Sequence, residues 1–276
     1  MITELNSLEF FKCKELLYEH GQLEANAIIE GINPGRVFVD DVASPTSGLI
    51  WLGNNDGFIF IGDEKNEAFN NELNAFIDQF IIPEALKLGL HWFEVVGNHP
   101  RWNKAIEKLL SNRELGSWNQ RVYTLQKADY TYNNELTIGK EYRAEKITKQ
   151  LYENKDNAIK NIEFLHSKIL EFWSSSELFF DHGIGYCIIY KNEIVSICVS
   201  CFVVREVHCI SIETLELHQG KKLGQKIAKS YVEECLHYNL IPYWDCMESN
   251  KPSIAVAENL GFTMTFNYIG YEFPFK

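Results

Sequence analysis

The stretch from Val207 to Phe262 constrains the fold more tightly than any other, because strand, turn, helix, strand and helix signals follow one another there in close order. Val207 to Thr214 is a β-rich segment, and Gln219-Gly220-Lys221-Lys222-Leu223-Gly224 is a turn leading into a helix expected over 225–238. A second strand, Pro242 to Cys246, comes next. Asn250-Lys-Pro-Ser253 then opens a short helix ending at Leu260-Gly261-Phe262. A strand that passes through a Gly/Lys-rich turn into a helix gathers unpaired backbone N–H groups around one point. With the positive end of the helix dipole, they make a place for an anion. The second strand and helix can form the other wall of a cleft. The bland alternative is an α/β half-domain in which Gly220 and Gly224 merely cap a helix.

This arrangement resembles the acetyl-CoA-binding core of the GNAT N-acetyltransferases, where a Gln/Arg-x-x-Gly-x-Gly/Ala turn wraps the CoA pyrophosphate. Gln219, Lys222 and Gly224 fall on the three marked positions, so a lysine replaces the first family glycine. Lys222 can still offer its backbone N–H if its φ is negative or the strain is tolerated. Asn250-x-x-Ser253 and Gly261-Phe262 resemble the second family motif, whose asparagine contacts the pantetheine arm. The resemblance implies acetyl-CoA as cosubstrate. It places cosubstrate contacts on Thr214 and Leu215, on Gln219, Gly220, Lys221 and Lys222, on Leu223, Gly224 and Gln225, and on Asn250 and Ser253. Lys226 and Lys251 are further point charges for phosphate, or members of a solvated basic face.

The 276 residues, 46% of them hydrophobic, suffice for a core in one large domain or two modest ones. A formal charge of −12 argues against sequence-independent nucleic-acid binding, which needs clustered Lys/Arg, and favours cationic partners such as amines. Seven cysteines in no zinc-ligand spacing read as buried reduced thiols, so no metal site is expected. Reduced thiols, the lack of a signal-peptide pattern at Met1-Ile-Thr-Glu-Leu5 and the lack of a long apolar run together predict a cytoplasmic protein without a membrane partner. Oligomeric state is not legible in the sequence.

Along the chain, the first 30 residues read as helical. Strands are expected at 36–41, 47–53 and 57–62, with Asn54-Asn55-Asp56-Gly57 as a hairpin turn. An amphipathic helix follows over 66–88, kinked or broken at Pro83, then a strand at 91–96, a helix at 102–110 and a strand at 118–126. The polar, aperiodic stretch Asp129 to Glu135 marks a boundary. Helices are expected at 147–152 and 158–173, and a hairpin at 185–190 and 194–204 before the motif region. The last strand is expected over 262–273. The predicted class is α/β with mixed sheets flanked by helices, in tandem GNAT-like domains at 1–135 and 136–276. Both halves read helices, three strands, helix, strand, helix, strand. Where the second has Gln219 to Gly224, the first has the acidic Asp63-Glu64-Lys65-Asn66-Glu67, which would repel a pyrophosphate. The first domain thus looks degenerate. The whole chain resembles a bacterial GNAT group with a degenerate N-terminal half, which includes zwittermicin A resistance-type acetyltransferases. Gly48-Leu-Ile-Trp51, Phe58 to Asp63 and Tyr243-Trp-Asp-Cys246 carry that likeness.

Acetyl transfer to an amine needs a base for the amine proton and a donor for the thioester oxygen. Glu213, at the end of the strand before the turn, is the first candidate base, and Glu206, at its start, the second. Strand alternation puts the two on opposite faces unless a bulge intervenes. In the plain reading, Glu213 only pairs with a lysine or sits in solvent. His208 reads as structural. The family often has a tyrosine acid seven residues after the asparagine; that position is Ala257 here, and neither Tyr243 nor Tyr268 inherits the role. Trp173 and Trp244 are core residues or walls of a substrate cleft. Residues 1–135 hold 11 basic and 20 acidic side chains, against 15 and 18 in the remainder, which suits either a cationic acceptor or mere solubility. The expected function is acetyl-CoA-dependent N-acetylation of a primary amine on a small molecule, an antibiotic among the options. The alternatives are a catalytically degenerate CoA-binding or regulatory module, and an acyltransferase for longer acyl-CoA or protein amines.

Overall fold

The computed structural model describes residues 1–53, 57–130 and 136–275. The expected hairpin turn at 54–56 and most of the boundary stretch, 131–135, lie outside them. The chain forms two compact units, Met1–Gln120 with Asn267–Lys276, and Arg121–Phe266. The class is mixed α/β, with sheets flanked by helices, as the sequence pattern predicts.

In the first unit β1 (Thr3–Glu4) precedes a 3-10 segment, Ser7–Leu16, and α1 (Leu23–Ile29). Strands β2 (Arg36–Val39), β3 (Ser47–Trp51) and β4 (Gly57–Gly62) then form an antiparallel run with β1 on its edge. Helix α2 (Glu67–Phe76) passes through a π turn, Ile77–Ile81, into α3 (Ile82–Lys87). Pro83 therefore does not break the helix. The π turn just before it widens the backbone where proline lacks a donor and its ring would crowd the preceding turn. β5 (Trp92–Gly97) returns parallel to β4, and α4 (Trp102–Leu109) and β6 (Gly116–Thr124) follow. Phe58, Phe93 and Phe273 stack in series through the core of this unit.

The second unit repeats the order. β7 (Tyr142–Lys146) is the edge strand, followed by α5 (Lys149–Glu153), α6 (Ile162–Leu170) and α7 (Ser176–His182). β8 (Gly185–Tyr190), β9 (Glu193–Val204) and β10 (Val207–Thr214) run antiparallel in sequence. Helix α8 (Leu223–His237) crosses over to β11 (Ile241–Met247), which pairs parallel to β10. Helix α9 (Lys251–Asn259) and the start of β12 (Thr263–Pro274) follow; the Gly270–Pro274 end of β12 belongs to the first unit, where it pairs antiparallel with β5. Ile227, Ala228, Tyr231, Val232 and Cys235 of α8 pack on Ile188, Val195 and Cys198 of the sheet. All seven cysteines are buried free thiols. Among the described residues no helix is long and apolar enough to cross a membrane.

Candidate functional site

The β10/β11 ladder is short. It joins Val207 to Ile241, His208 to Pro242 and Cys209 to Tyr243, and then stops, whereas β10 stays paired with β9 as far as Thr214. Beyond Cys209 the two parallel strands part. Half of the backbone groups of Ile210–Thr214 point away from β9 and have no strand to bond among the described residues. At the end of this opening lies a cleft of about 570 Å³, walled by the turn and start of α8 on one side and by α9 on the other.

Helix α8 begins without a side-chain cap. The Lys226 N–H donates to the Lys222 carbonyl at 3.0 Å, so the N–H groups of Leu223, Gly224 and Gln225 precede the first helical bond. Three donors and the dipole end are thus left facing an uncapped start. The turn needs two left-handed residues, Gly220 at φ 72° and Lys222 at φ 62°. Glycine adopts that region freely; Lys222 does so against a penalty of about 1–2 kcal/mol. Of the two possibilities for Lys222, the strained one holds.

Thr214, Gln219, Gly220, Lys222, Leu223, Gly224, Gln225 and Asn250 all border the cleft. Leu215, Lys221 and Ser253 do not. Leu215 packs against the core, its N–H bonded to the Val195 carbonyl at 2.9 Å. Lys221 Nζ turns back onto the Leu217 carbonyl. Ser253 serves α9 instead: its N–H donates to Asn250 Oδ1 at 3.1 Å, capping the helix, and its hydroxyl accepts the Trp244 indole N–H at 3.0 Å. Asn-x-x-Ser is therefore a working helix cap whose asparagine also borders the cleft. Lys226 and Lys251 are not among the lining residues.

Sequence reading missed His218 and one face of α9, namely Pro252, Ala255, Val256 and Asn259. The α9 set was available as a helical spacing of three to four residues starting from Pro252. His218 had no such signal.

The two glutamates stand far apart. Glu206 lies in the exposed turn between β9 and β10, where its carbonyl accepts the Ile241 N–H at 2.7 Å. At about 3.3 Å per residue it is roughly 20 Å from Glu213. The register shift opposite His208–Ile210 places its extra residue in β9, so the alternation along β10 is kept. The structure does not bring Glu206 to the cleft. Glu213 is at the cleft end of β10, next to Thr214, and its carboxylate is half-exposed. Lys168 of α6 reaches it at 2.9 Å and Glu171 at 2.7 Å. Burial alone would push the Lys168 ammonium down, but hydrogen bonds to Glu171 and Glu213 outweigh it and hold the group above the ordinary lysine range.

His208 is buried and its Nδ1 lies 3.1 Å from the Ser200 hydroxyl, which also meets Tyr231 Oη at 2.7 Å. Burial, aided by His182, pushes its pKa down to about 4. Trp173 and Trp244 are both core residues with bonded indole N–H groups. Ala257 is fully buried in the core, so no side chain there reaches the cleft.

Comparison with known proteins agrees with this geometry. The chain is 26% identical over 246 residues to the "Uncharacterized N-acetyltransferase YdfB" of Bacillus subtilis strain 168, covering 89% of this chain and 88% of that protein. Its fold matches a GCN5-related N-acetyltransferase-like protein from Streptococcus suis 89/1591 with a TM-score of 0.68, at 20% identity over 96% of this chain and 98% of the other. It also matches a tandem GNAT protein from the clavulanic acid biosynthesis pathway with a TM-score of 0.60, at 9% identity over 99% and 98% of the two chains. The GNAT acetyltransferase family model spans residues 14–271, and the chain belongs to that family.

Proposed function

We propose that this GNAT acetyltransferase uses acetyl-CoA to acetylate a primary amine on a small molecule, as the zwittermicin A resistance-type subgroup would, with antibiotic amines the first class to screen. The observation that carries the reading is the coincidence, at one end of the second unit, of the parted β10/β11 pair and the uncapped start of α8. In this reading the α8 amides take the diphosphate and the open edge of β10 holds the pantetheine amides. A backbone N–H on that edge meets the thioester oxygen as charge develops. Glu213 takes the amine proton, directly or through water, and the amine nitrogen displaces the CoA thiolate. The thiolate leaves without a tyrosine acid, since a thiol pKa near 8.5 makes it a fair leaving group near neutral pH.

One observation favours the second reading, a CoA-binding module without turnover: Glu213 is already engaged by Lys168. Two experiments separate the readings. Calorimetry should show micromolar acetyl-CoA binding by the wild type. The Gly224→Asp variant should weaken it by about 100-fold or more, because a carboxylate would sit where the phosphate charge must go. A Cβ at Gly224 meets only Ile212 at 3.5 Å and Thr214 at 3.6 Å, ordinary contacts, so the variant should keep its fold. Wild-type chain that binds no acetyl-CoA would sink the proposal. Amine acetylation unaffected by Glu213→Gln would remove Glu213 as the base.

A further inference from the structure

The turn that borders the cleft has spent most of its own polar side chains. Gln219 Nε2 donates to the Thr214 carbonyl at 3.1 Å, and Lys221 Nζ is tied to the Leu217 carbonyl. His218, the residue just before Gln219, borders the cleft and ends the short 3-10 segment Glu216–His218. Its ring is held from one side. Tyr142 meets it edge-on at 5.7 Å and Tyr190 tilts against it at 5.1 Å, while the two tyrosines stack on each other at 4.8 Å from paired positions of β7 and β8. His218 Nδ1 lies 3.0 Å from the Tyr142 hydroxyl. That phenol stays protonated, because burial and then the neighbouring Tyr190 and Glu141 push its pKa up. Tyr142 is buried and the hydroxyl has no other partner among the described residues; the assignment that satisfies both groups gives its hydrogen to Nδ1. A neutral imidazole that accepts at Nδ1 carries its proton at Nε2. Nε2 makes no hydrogen bond among the described residues, which leaves an unpaired N–H donor on a residue that borders the cleft.

We propose that His218 binds the diphosphate of acetyl-CoA through Nε2–H, with Tyr142 as the positioning residue that fixes the ring and its tautomer. The assignment rests on the cosubstrate reading above. It supplies a side-chain donor at a turn in which Gln219 and Lys221 are taken up by backbone carbonyls.

The test is calorimetry with three probes: CoA, 3′-dephospho-CoA and pantetheine. His218→Ala should weaken the first two by about tenfold, in line with a lost hydrogen bond to a charged group, and leave pantetheine unchanged. His218→Gln, whose amide nitrogen can occupy the Nε2 position, should recover most of the loss. His218→Asn, which reaches only to the Nδ1 position, should not. Tyr142→Phe should weaken both phosphorylated probes severalfold while the thermal midpoint stays within a few degrees of wild type. A loss confined to CoA would overturn the assignment in favour of the 3′-phosphate. Equal losses for Ala and Gln, or a parallel loss of pantetheine, would overturn it in favour of packing alone. Wild-type binding with no effect of His218→Ala overturns this assignment only; a wild type that binds none of the probes overturns the cosubstrate reading and this one with it.

Discussion

The parallel pair β4/β5 of the first unit and β10/β11 of the second occupy the same place in the same order of elements, yet they end differently. In the first unit the ladder runs through four pairs to Phe60 and Gly97, and the Asn98 N–H extends it onto the Phe60 carbonyl at 2.8 Å. Trp102 lies fully buried against it, stacked on Phe60 at 4.8 Å, and Gly97 has no Cβ because one would fall 2.2 Å from the Trp102 Cβ. The start of α2 is closed as well. Asn66 accepts the Phe69 N–H at 3.1 Å and donates to Asp40 at 2.8 Å. In the second unit the ladder stops after three pairs and the α8 start has no cap. One architecture can thus be a packed core or a cleft, depending on whether the backbone groups at the strand ends and helix start find partners inside the chain. In the first unit that opening is filled.

The largest effect that tests this contrast is Trp102→Ala. Removing a fully buried tryptophan should cost about 3–5 kcal/mol, read as a lower denaturant midpoint at unchanged slope. The variant should gain no affinity for CoA, because the ladder and the Asn66 cap remain. Calorimetric detection of a second CoA site in Trp102→Ala would break the comparison, since the first unit would then be a plugged site and not a closed one.

Acid should separate the units next. His208 has a folded pKa of about 4, below the ordinary value of 6.5, so the unfolded chain binds the proton first. Its stabilisation is present above the unfolded value and is lost as pH falls toward the folded one; between pH 7 and pH 5 the second unit should lose about 2 kcal/mol. Glu24 in the first unit shifts the other way. Burial raises its pKa, and Oε2 has no hydrogen-bond partner among the described residues, so acid favours the folded form there. Amide exchange, corrected for intrinsic rates, should show β8–β10 losing protection relative to β2–β4 at pH 5. His208→Asn should remove the second unit's share of the difference and leave that of Glu24. Equal protection in both units at pH 5 would refute the sign or the site of the shift.

What was legible in the sequence follows from how local each signal is. The strand, turn and helix around Gln219–Gly224 lie within a residue or two of expectation, because β-branched alternation, glycine punctuation and an amphipathic face are all written in neighbouring residues. The edge strands β1 and β7 escaped notice. Thr3–Glu4 is exposed, and Tyr142–Lys146 is mostly polar with only Tyr142 buried, so neither shows an apolar alternation. Helix α7 has a usable start signal in Ser175, which caps Leu178, yet the helix expected from the sequence ends at Trp173 and nothing is assigned to 176–182. The contacts that define the candidate site were out of reach for another reason. Lys168 meets Glu213 across 45 positions and Tyr142 meets His218 across 76, and nothing in the local pattern marks either partner.

The helix starts give a smaller test. Asn66→Ala removes the α2 cap and a hydrogen bond to Asp40, and should cost about 1–2 kcal/mol. If that change alone produced phosphate binding in the first unit, detectable by calorimetry with CoA, then capping rather than ladder closure would be the difference between the two halves.

The smallest effect concerns Lys222. At φ 62° the lysine holds a left-handed conformation that glycine would hold without strain. Lys222→Gly should therefore relieve about 1 kcal/mol in the folded chain. Glycine also frees the unfolded chain, which offsets part of the gain and leaves a net stabilisation of about 0.5 kcal/mol. The turn geometry, and with it the Leu223, Gly224 and Gln225 amides, should be unchanged, so CoA affinity should fall only by the loss of one cationic side chain bordering the cleft. Lys222→Ala separates the two contributions, since it keeps the strain and removes the charge. If glycine and alanine weaken CoA equally while only glycine stabilises the fold, the lysine is kept for its charge and the strain is its consequence. If neither weakens CoA, the Lys222 side chain has no part in holding the phosphate, and the difference between the halves lies in the open start of α8 and the parted β10/β11 ladder.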